Sequence, residues 1–176
     1  MSEVKAIKQG NNDDLKKRKN VNNVAYLFVL YGFLGFFENL LLVGPTAHKP
    51  EVLVTFIIGF ILLAIPYIIL PLKAKQTLDV NYAKALKFYL LLVMVIPTIV
   101  LFVVFLITHN LVSIPFSIFD LLFFGLSFQF ENNIKEFNPK FKYSFKQFLK
   151  VFVPSALLLC AGFTLTFISG ILNAVK

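Results

Sequence analysis

The chain has 176 residues, of which 58% are hydrophobic and only 15% charged, with a mean hydropathy of +0.79. A water-soluble domain of this size is usually about 45–50% apolar and about 25% charged, so this composition leaves too little polar surface to coat a soluble core and excludes an ordinary cytosolic globule. The balance of 17 Lys and Arg against 9 Asp and Glu gives +8, and the basic residues fall in short blocks between apolar runs, a pattern that suits lipid headgroups and not nucleic acid.

Residues 1–23 are polar and lack a helical apolar period, so they read as a basic, mostly disordered cytoplasmic tail. A cleaved signal peptide fits poorly, because the polar lead is long and Pro45 stands two residues before Ala47, where cleavage would have to fall. From residue 24 to 176 the sequence predicts one all-α membrane domain. Five apolar stretches, at 24–43, 52–72, 88–107, 111–130 and 151–173, each approach the ~20 residues that a helix needs to cross a bilayer. Inside lipid the backbone must satisfy itself, and runs this long and uniformly apolar are helices, not barrel strands.

Orientation follows from the basic residues. With the N-terminus inside, 15 of the 17 fall on the cytoplasmic side, leaving Lys49 and Lys176 outside. The expectation is a bundle of five transmembrane helices with a cytoplasmic N-terminus and an external C-terminus. Tyr26, Tyr67, Tyr82, Tyr89 and Tyr143 map near the inner interface, and Tyr31 lies deeper. Ile65-Pro66, Ile96-Pro97 and Ile114-Pro115 place a proline in three successive spans, which implies kinks. In 141–150 the aromatic and aliphatic residues Phe141, Phe145, Phe148 and Leu149 share a face beside Lys142, Lys146 and Lys150, an interfacial amphipathic helix leading into the fifth span. Lys142, Lys146 and Lys150, with Lys16, Lys17, Arg18 and Lys19, are the expected contacts to anionic headgroups on the cytoplasmic side of the bilayer.

Chemistry inside a membrane is sought first at ionisable side chains, and only Glu38 and Asp120 lie within spans. Helical spacing sets Gly32, Gly35, Glu38 and Asn39 on one face of the first helix, and Ser113, Ser117, Asp120 and Ser127 on one face of the fourth. Measured from the outer ends, Glu38 lies about 8 Å deep and Asp120 about 13 Å deep. This intramembrane polar site reads either as a proton or cation path, reached from His48 and His109, or as protonated carboxyls that hold helices together. None of these residues shows a ligand-pair spacing, so no metal is assigned, and the sequence implies no cofactor.

Gly162, Thr166, Gly170 and Ala174 recur every four residues in the fifth span, a small-residue ridge for close helix packing, as are Gly32 and Gly35 in the first. Cys160 is a lone cysteine within an apolar run and reads as packing. No catalytic motif is legible. The expected function is an accessory or interaction subunit of a membrane complex, whose protein partner is another membrane protein or a second copy of the chain. The rival is a small transporter or ion-coupled permease using Glu38 and Asp120. The Lys-, Asn-, Phe- and Ile-rich vocabulary suggests an AT-rich genome and a bacterial plasma membrane, with an organellar membrane as the alternative.

Overall fold

A computed structural model describes residues 2–43, 49–95, 99, 114–137, 139 and 143–174, with side chains described at 14–34, 49–93, 99, 121–137, 139 and 143–173. Among the described residues the protein is all-helical, without strands, and contains five α-helices. These are α1 (Ser2–Val43), α2 (Pro50–Thr77), α3 (Val80–Leu90), α4 (Ile114–Phe137) and α5 (Phe145–Ala174). Two of them, α2 and α5, are long and apolar enough to cross a membrane. At 28 residues, α2 extends roughly 42 Å.

Local chemistry sets the helix ends. Lys49 is extended ahead of α2 and Pro50 opens its first turn, where a missing N–H leaves nothing unsatisfied. The helix stops at Leu78, which takes a left-handed φ of 49°, a strained conformation for a bulky residue. Asp79 follows and caps α3, its carboxylate accepting from the Asn81 N–H at 2.8 Å. Only Leu78 and Asp79 therefore separate two helices that double back on one another. Ser144 occupies the equivalent position before α5: its carbonyl accepts from the Phe148 N–H at 2.9 Å and its hydroxyl from the Gln147 N–H at 3.4 Å. Thus Phe145, Phe148 and Leu149 are the first turns of α5 itself, with Phe148 buried and Phe145 exposed, while Phe141 lies outside the described residues.

Residues 2–23, which the sequence reads as a polar tail, belong to α1, which runs without a break from Ser2 to Val43. The polar stretch is continuous with a packed one. Val21, Ala25 and Phe28 are fully buried on one face, and Lys17 reaches Glu136 of α4 at 3.3 Å. Once these turns are fixed, extending the helix toward the N-terminus requires only propagation, which is far less costly than nucleation.

The core gathers α1, the second half of α2, all of α3, the second half of α4 and the start of α5. Short α3 is its strut, with Val80, Ala83, Ala85, Leu86, Tyr89 and Leu90 all buried against α2, α4 and α5. Aromatic contacts lock α1 to α4: Phe28 meets Phe123 and Phe130 edge-on at 5.9 and 5.8 Å, and Tyr31 stacks on Phe123 at 3.9 Å. Tyr67 and Tyr89, expected at the interface, are core residues in T-shaped contact at 5.3 Å. The Tyr89 hydroxyl donates to the Leu63 carbonyl at 2.6 Å. That carbonyl adjoins Leu62, whose helical donor is removed by Pro66, so a side chain supports α2 where its own ladder is weakened. Pro66, Pro71 and Pro154 all lie inside helices. Pro115 falls in the first described turn of α4, and Pro97 is outside the described residues, just beyond a π-type turn at Leu91–Val95.

The most extensive pairing is α2 with α5. A Cβ at Gly162 would stand 2.6 Å from Leu63 Cγ and 2.8 Å from the Gly59 carbonyl, and one at Gly59 would stand 2.9 Å from Thr166 Cγ2. The backbones approach too closely for any side chain at either glycine. Ser169 adds a hydrogen bond from its hydroxyl to the Val52 carbonyl at 3.1 Å. The ridge is therefore divided: Gly162 and Thr166 pack on α2, a Cβ at Gly170 would meet nothing within 4 Å, and the Ala174 side chain is outside the described residues. Gly162→Ala should destabilise the protein by about 1–3 kcal/mol through overpacking, whereas Gly170→Ala should be neutral. Thermal unfolding of the two variants in detergent, followed by circular dichroism, measures that contrast.

Candidate functional site

Side chains from all five helices converge at one end of the bundle and form its polar cluster. The centre is Glu131 on α4, whose side chain is 3% exposed. It accepts from Lys87 of α3 and, at 2.7 Å, from Lys135 one turn further along α4. Burial alone would push this carboxyl up, but the hydrogen bonds from Lys135 and Lys87 outweigh it and hold Glu131 below the ordinary carboxylate range. The Lys87 head also lies 4.6 Å from the centre of the Phe128 ring. Beside this cluster, Lys84 sits 3.6 Å over the ring of Tyr143, and burial lowers its ammonium from the ordinary value while Glu131 opposes the shift.

Asn81, in the first turn of α3, is fully buried in the same region. Its amide donates to Gln147 Oε1 of α5 at 3.3 Å, and its own Oδ1 has no hydrogen-bond partner among the described residues. On the other flank, Lys75 near the end of α2 donates to the Tyr26 hydroxyl at 2.8 Å, with its head 4.0 Å from the ring centre. Apart from the Lys135–Glu131 contact within α4, these contacts join two helices, or α3 to the lead-in of α5, so the polar groups pin the bundle's end in register.

The two carboxylates that the sequence reading places within spans fall elsewhere in the chain. Glu38 lies in the backbone of α1 and Asp120 in that of α4, but their side chains and those of Asn39 and Ser117 lie outside the described residues, as do Ser113, His48 and His109 altogether. The two helices are antiparallel neighbours, with Lys17 beside Glu136, Phe28 beside Phe130, and Tyr31 beside Phe123. Continued by two turns, this register sets position 38 alongside positions 113–120, within about two turns of position 120 along the axis. Ser127, from the same face of α4, is fully buried, and its hydroxyl donates to the Phe124 carbonyl within its own helix at 2.6 Å.

Of the small residues, Gly32 packs against Tyr67, whose Cβ would be 2.8 Å from an added methyl, and Gly35 lies where side chains are not described. Of the basic residues, Lys16 and Lys17 line a cleft of about 340 Å³ with Asn20, Asn133 and Glu136. Lys19, Lys146 and Lys150 are exposed, Arg18 belongs to a second cleft described below, and Lys142 is outside the described residues. Cys160 is exposed on α5, not packed as its apolar setting suggests. No group of three or more potential metal ligands occurs among the described residues.

Glu131 is the polar residue that sequence reasoning missed. Its position just past the fourth apolar run reads as loop, and only the four-residue spacing to Lys135 hinted at a pair. Neither protein-family models, curated proteins nor solved structures yield a match to this chain.

Because the folded-state pKa of Glu131 is depressed, its contribution to stability is complete above the ordinary value of about 4.5 and is lost as pH falls through the lower, folded one. Glu131→Gln should lower stability by about 1–3 kcal/mol at neutral pH, chiefly through Lys87, since Lys135 is half exposed. The same variant should show a flatter fall in melting temperature between pH 6 and about pH 3, which paired pH-melting curves would record.

Proposed function

We propose that the chain is an integral membrane protein of five transmembrane helices, N-terminus cytoplasmic and C-terminus external, acting as an accessory or interaction subunit of a membrane complex. It works through contacts between helices and carries no catalysis of its own. The observation that carries this reading is an inverted surface. Glu131 and Asn81 are buried, while Leu157 and Phe167 on α5 are 66% and 71% exposed, and Leu30, Leu34, Val54 and Ile171 also stand outward. Covering that apolar area takes lipid or another helix, because leaving it in water costs about 25 cal/mol per Å².

The topology is supported by the basic residues, 15 of which lie on the proposed cytoplasmic side. The polar cluster joins several of the same residues (Lys17, Lys75, Lys84, Lys87 and Lys135) to partners at one end. That end suits the anionic headgroups of a bacterial plasma membrane. In purification from native membranes with mild detergent, the protein should elute with a membrane partner or as a homo-oligomer. A strictly monomeric species without partners contradicts the subunit reading.

A second reading, a small ion-coupled permease, is favoured by the antiparallel register of α1 and α4, which brings position 38 to within about two turns of position 120 along the axis. Under it, Glu38→Gln and Asp120→Asn abolish a pH-dependent flux in proteoliposomes while expression is kept. If both variants fail to accumulate, the two carboxyls are structural.

A further inference from the structure

A second cleft, of about 210 Å³, opens between the inner turns of α1 and the C-terminal end of α2, lined by Arg18, Val21, Asn22, Lys75, Gln76 and Leu78. Its chemistry differs from that of the cleft around Lys17. There, Glu136 neutralises a lysine across the opening. Here two cations share the lining with two amides and no carboxylate. Arg18 forms no ion pair with a described residue. Lys75 is held in place by Tyr26, which receives one of its three N–H donors and leaves two.

We propose that this cleft binds the phosphate of an anionic phospholipid, an inference that rests on the membrane reading above. Arg18 supplies a planar fork that matches two phosphate oxygens, Lys75 a point charge, and Asn22 and Gln76 amide donors. Since α2 ends here, its last carbonyls carry a partial negative charge that would repel a phosphate, and Lys75 offsets it.

What lies beyond the cleft selects a lipid over a free anion. Arg18, Asn22, Tyr26 and Leu30 recur every four residues along one side of α1. In that order they pass from a cation, through an amide and an amphipathic ring, to an aliphatic side chain. Tyr26 is 56% and Leu30 54% exposed, Phe33 continues the strip outward, and on α2 Ile68 and the exposed Ile61 lie on the same side as Lys75. A phosphate in the cleft therefore has an apolar strip directly beside it for an acyl chain, with the tyrosine at the boundary.

The test uses full-length protein in neutral detergent, titrated with phosphatidylglycerol, phosphatidylcholine or inorganic phosphate, with bound molecules counted by native mass spectrometry. One phosphatidylglycerol per chain should bind at least about tenfold more tightly than phosphatidylcholine. A cation near an anionic headgroup contributes on the order of a fivefold change in affinity. Arg18→Gln should thus weaken phosphatidylglycerol binding about fivefold, Arg18→Gln with Lys75→Gln about 30-fold, and Lys73→Gln, an exposed lysine of α2 outside the cleft lining, not at all. Equal binding of the two lipids, or a loss in the Lys73 variant equal to that in the Arg18 variant, overturns the site. Inorganic phosphate binding as tightly as phosphatidylglycerol overturns its assignment to lipid. Alkaline carbonate extraction separates the two levels of inference: protein that stays in the membrane pellet yet ignores headgroup charge defeats the cleft alone, whereas protein released to the supernatant defeats the membrane reading with it.

Discussion

A carboxylate that is almost wholly buried, as Glu131 is, can stay ionised only if cations are brought to it. Lys87 comes from α3 and Lys135 from the next turn of α4, and meeting that demand fixes how the two helices lie against each other. Much follows from that fixed point. The strut α3 is short and buried on nearly every side, so its position determines where α2, α4 and α5 can rest. The hydrogen bond from Tyr89 to Leu63 and that from Asn81 to Gln147 then attach α2 and α5 to the same strut. Among the described residues the ion pairs lie at one end, and most of the remaining length is left to packing.

Packing takes over along α2 and α5. Where Gly59 faces Gly162, the two backbones come close enough that carbonyl and side-chain atoms fill the space a Cβ would need. Such contact supports association by dispersion, and it does not require water to drive it. The prolines of α2 are tolerated in the same setting because both are buried and a neighbouring hydroxyl supports the ladder beside one of them. Outward from these contacts the helices present Leu, Ile and Phe, the arrangement expected of a protein whose solvent is apolar along its flanks and aqueous at its charged end.

The helical class was legible because apolar runs of bilayer length have one economical solution. The extents of α2 and α5 were legible less well: 52–72 and 151–173 mark the apolar parts of Pro50–Thr77 and Phe145–Ala174, whose polar turns continue past the apolar limit. Composition does not reveal the packing of Val21 and Ala25 or the contact of Lys17 with Glu136, because these partners lie across the bundle and not along the sequence. The same blindness hid Glu131. A polar residue beyond an apolar run is solvated in most chains, and only the three-dimensional approach of Lys87, 44 residues earlier, encloses it. Tyr67 and Tyr89 turn inward because the bundle offers them partners that the sequence does not show, each other's rings and, for Tyr89, the Leu63 carbonyl.

The account stands or falls on whether the charged end lies in the cytoplasm and the apolar flanks lie in the bilayer. Thiol labelling tests this directly, in a Cys160→Ser background carrying Lys49→Cys, Gln76→Cys or Lys146→Cys singly, treated with a membrane-impermeant maleimide before and after permeabilisation. The account predicts labelling at position 49 in intact cells, and at positions 76 and 146 only once the membrane is opened. Labelling of 76 or 146 in intact cells, or recovery of the protein in the aqueous fraction, would contradict it.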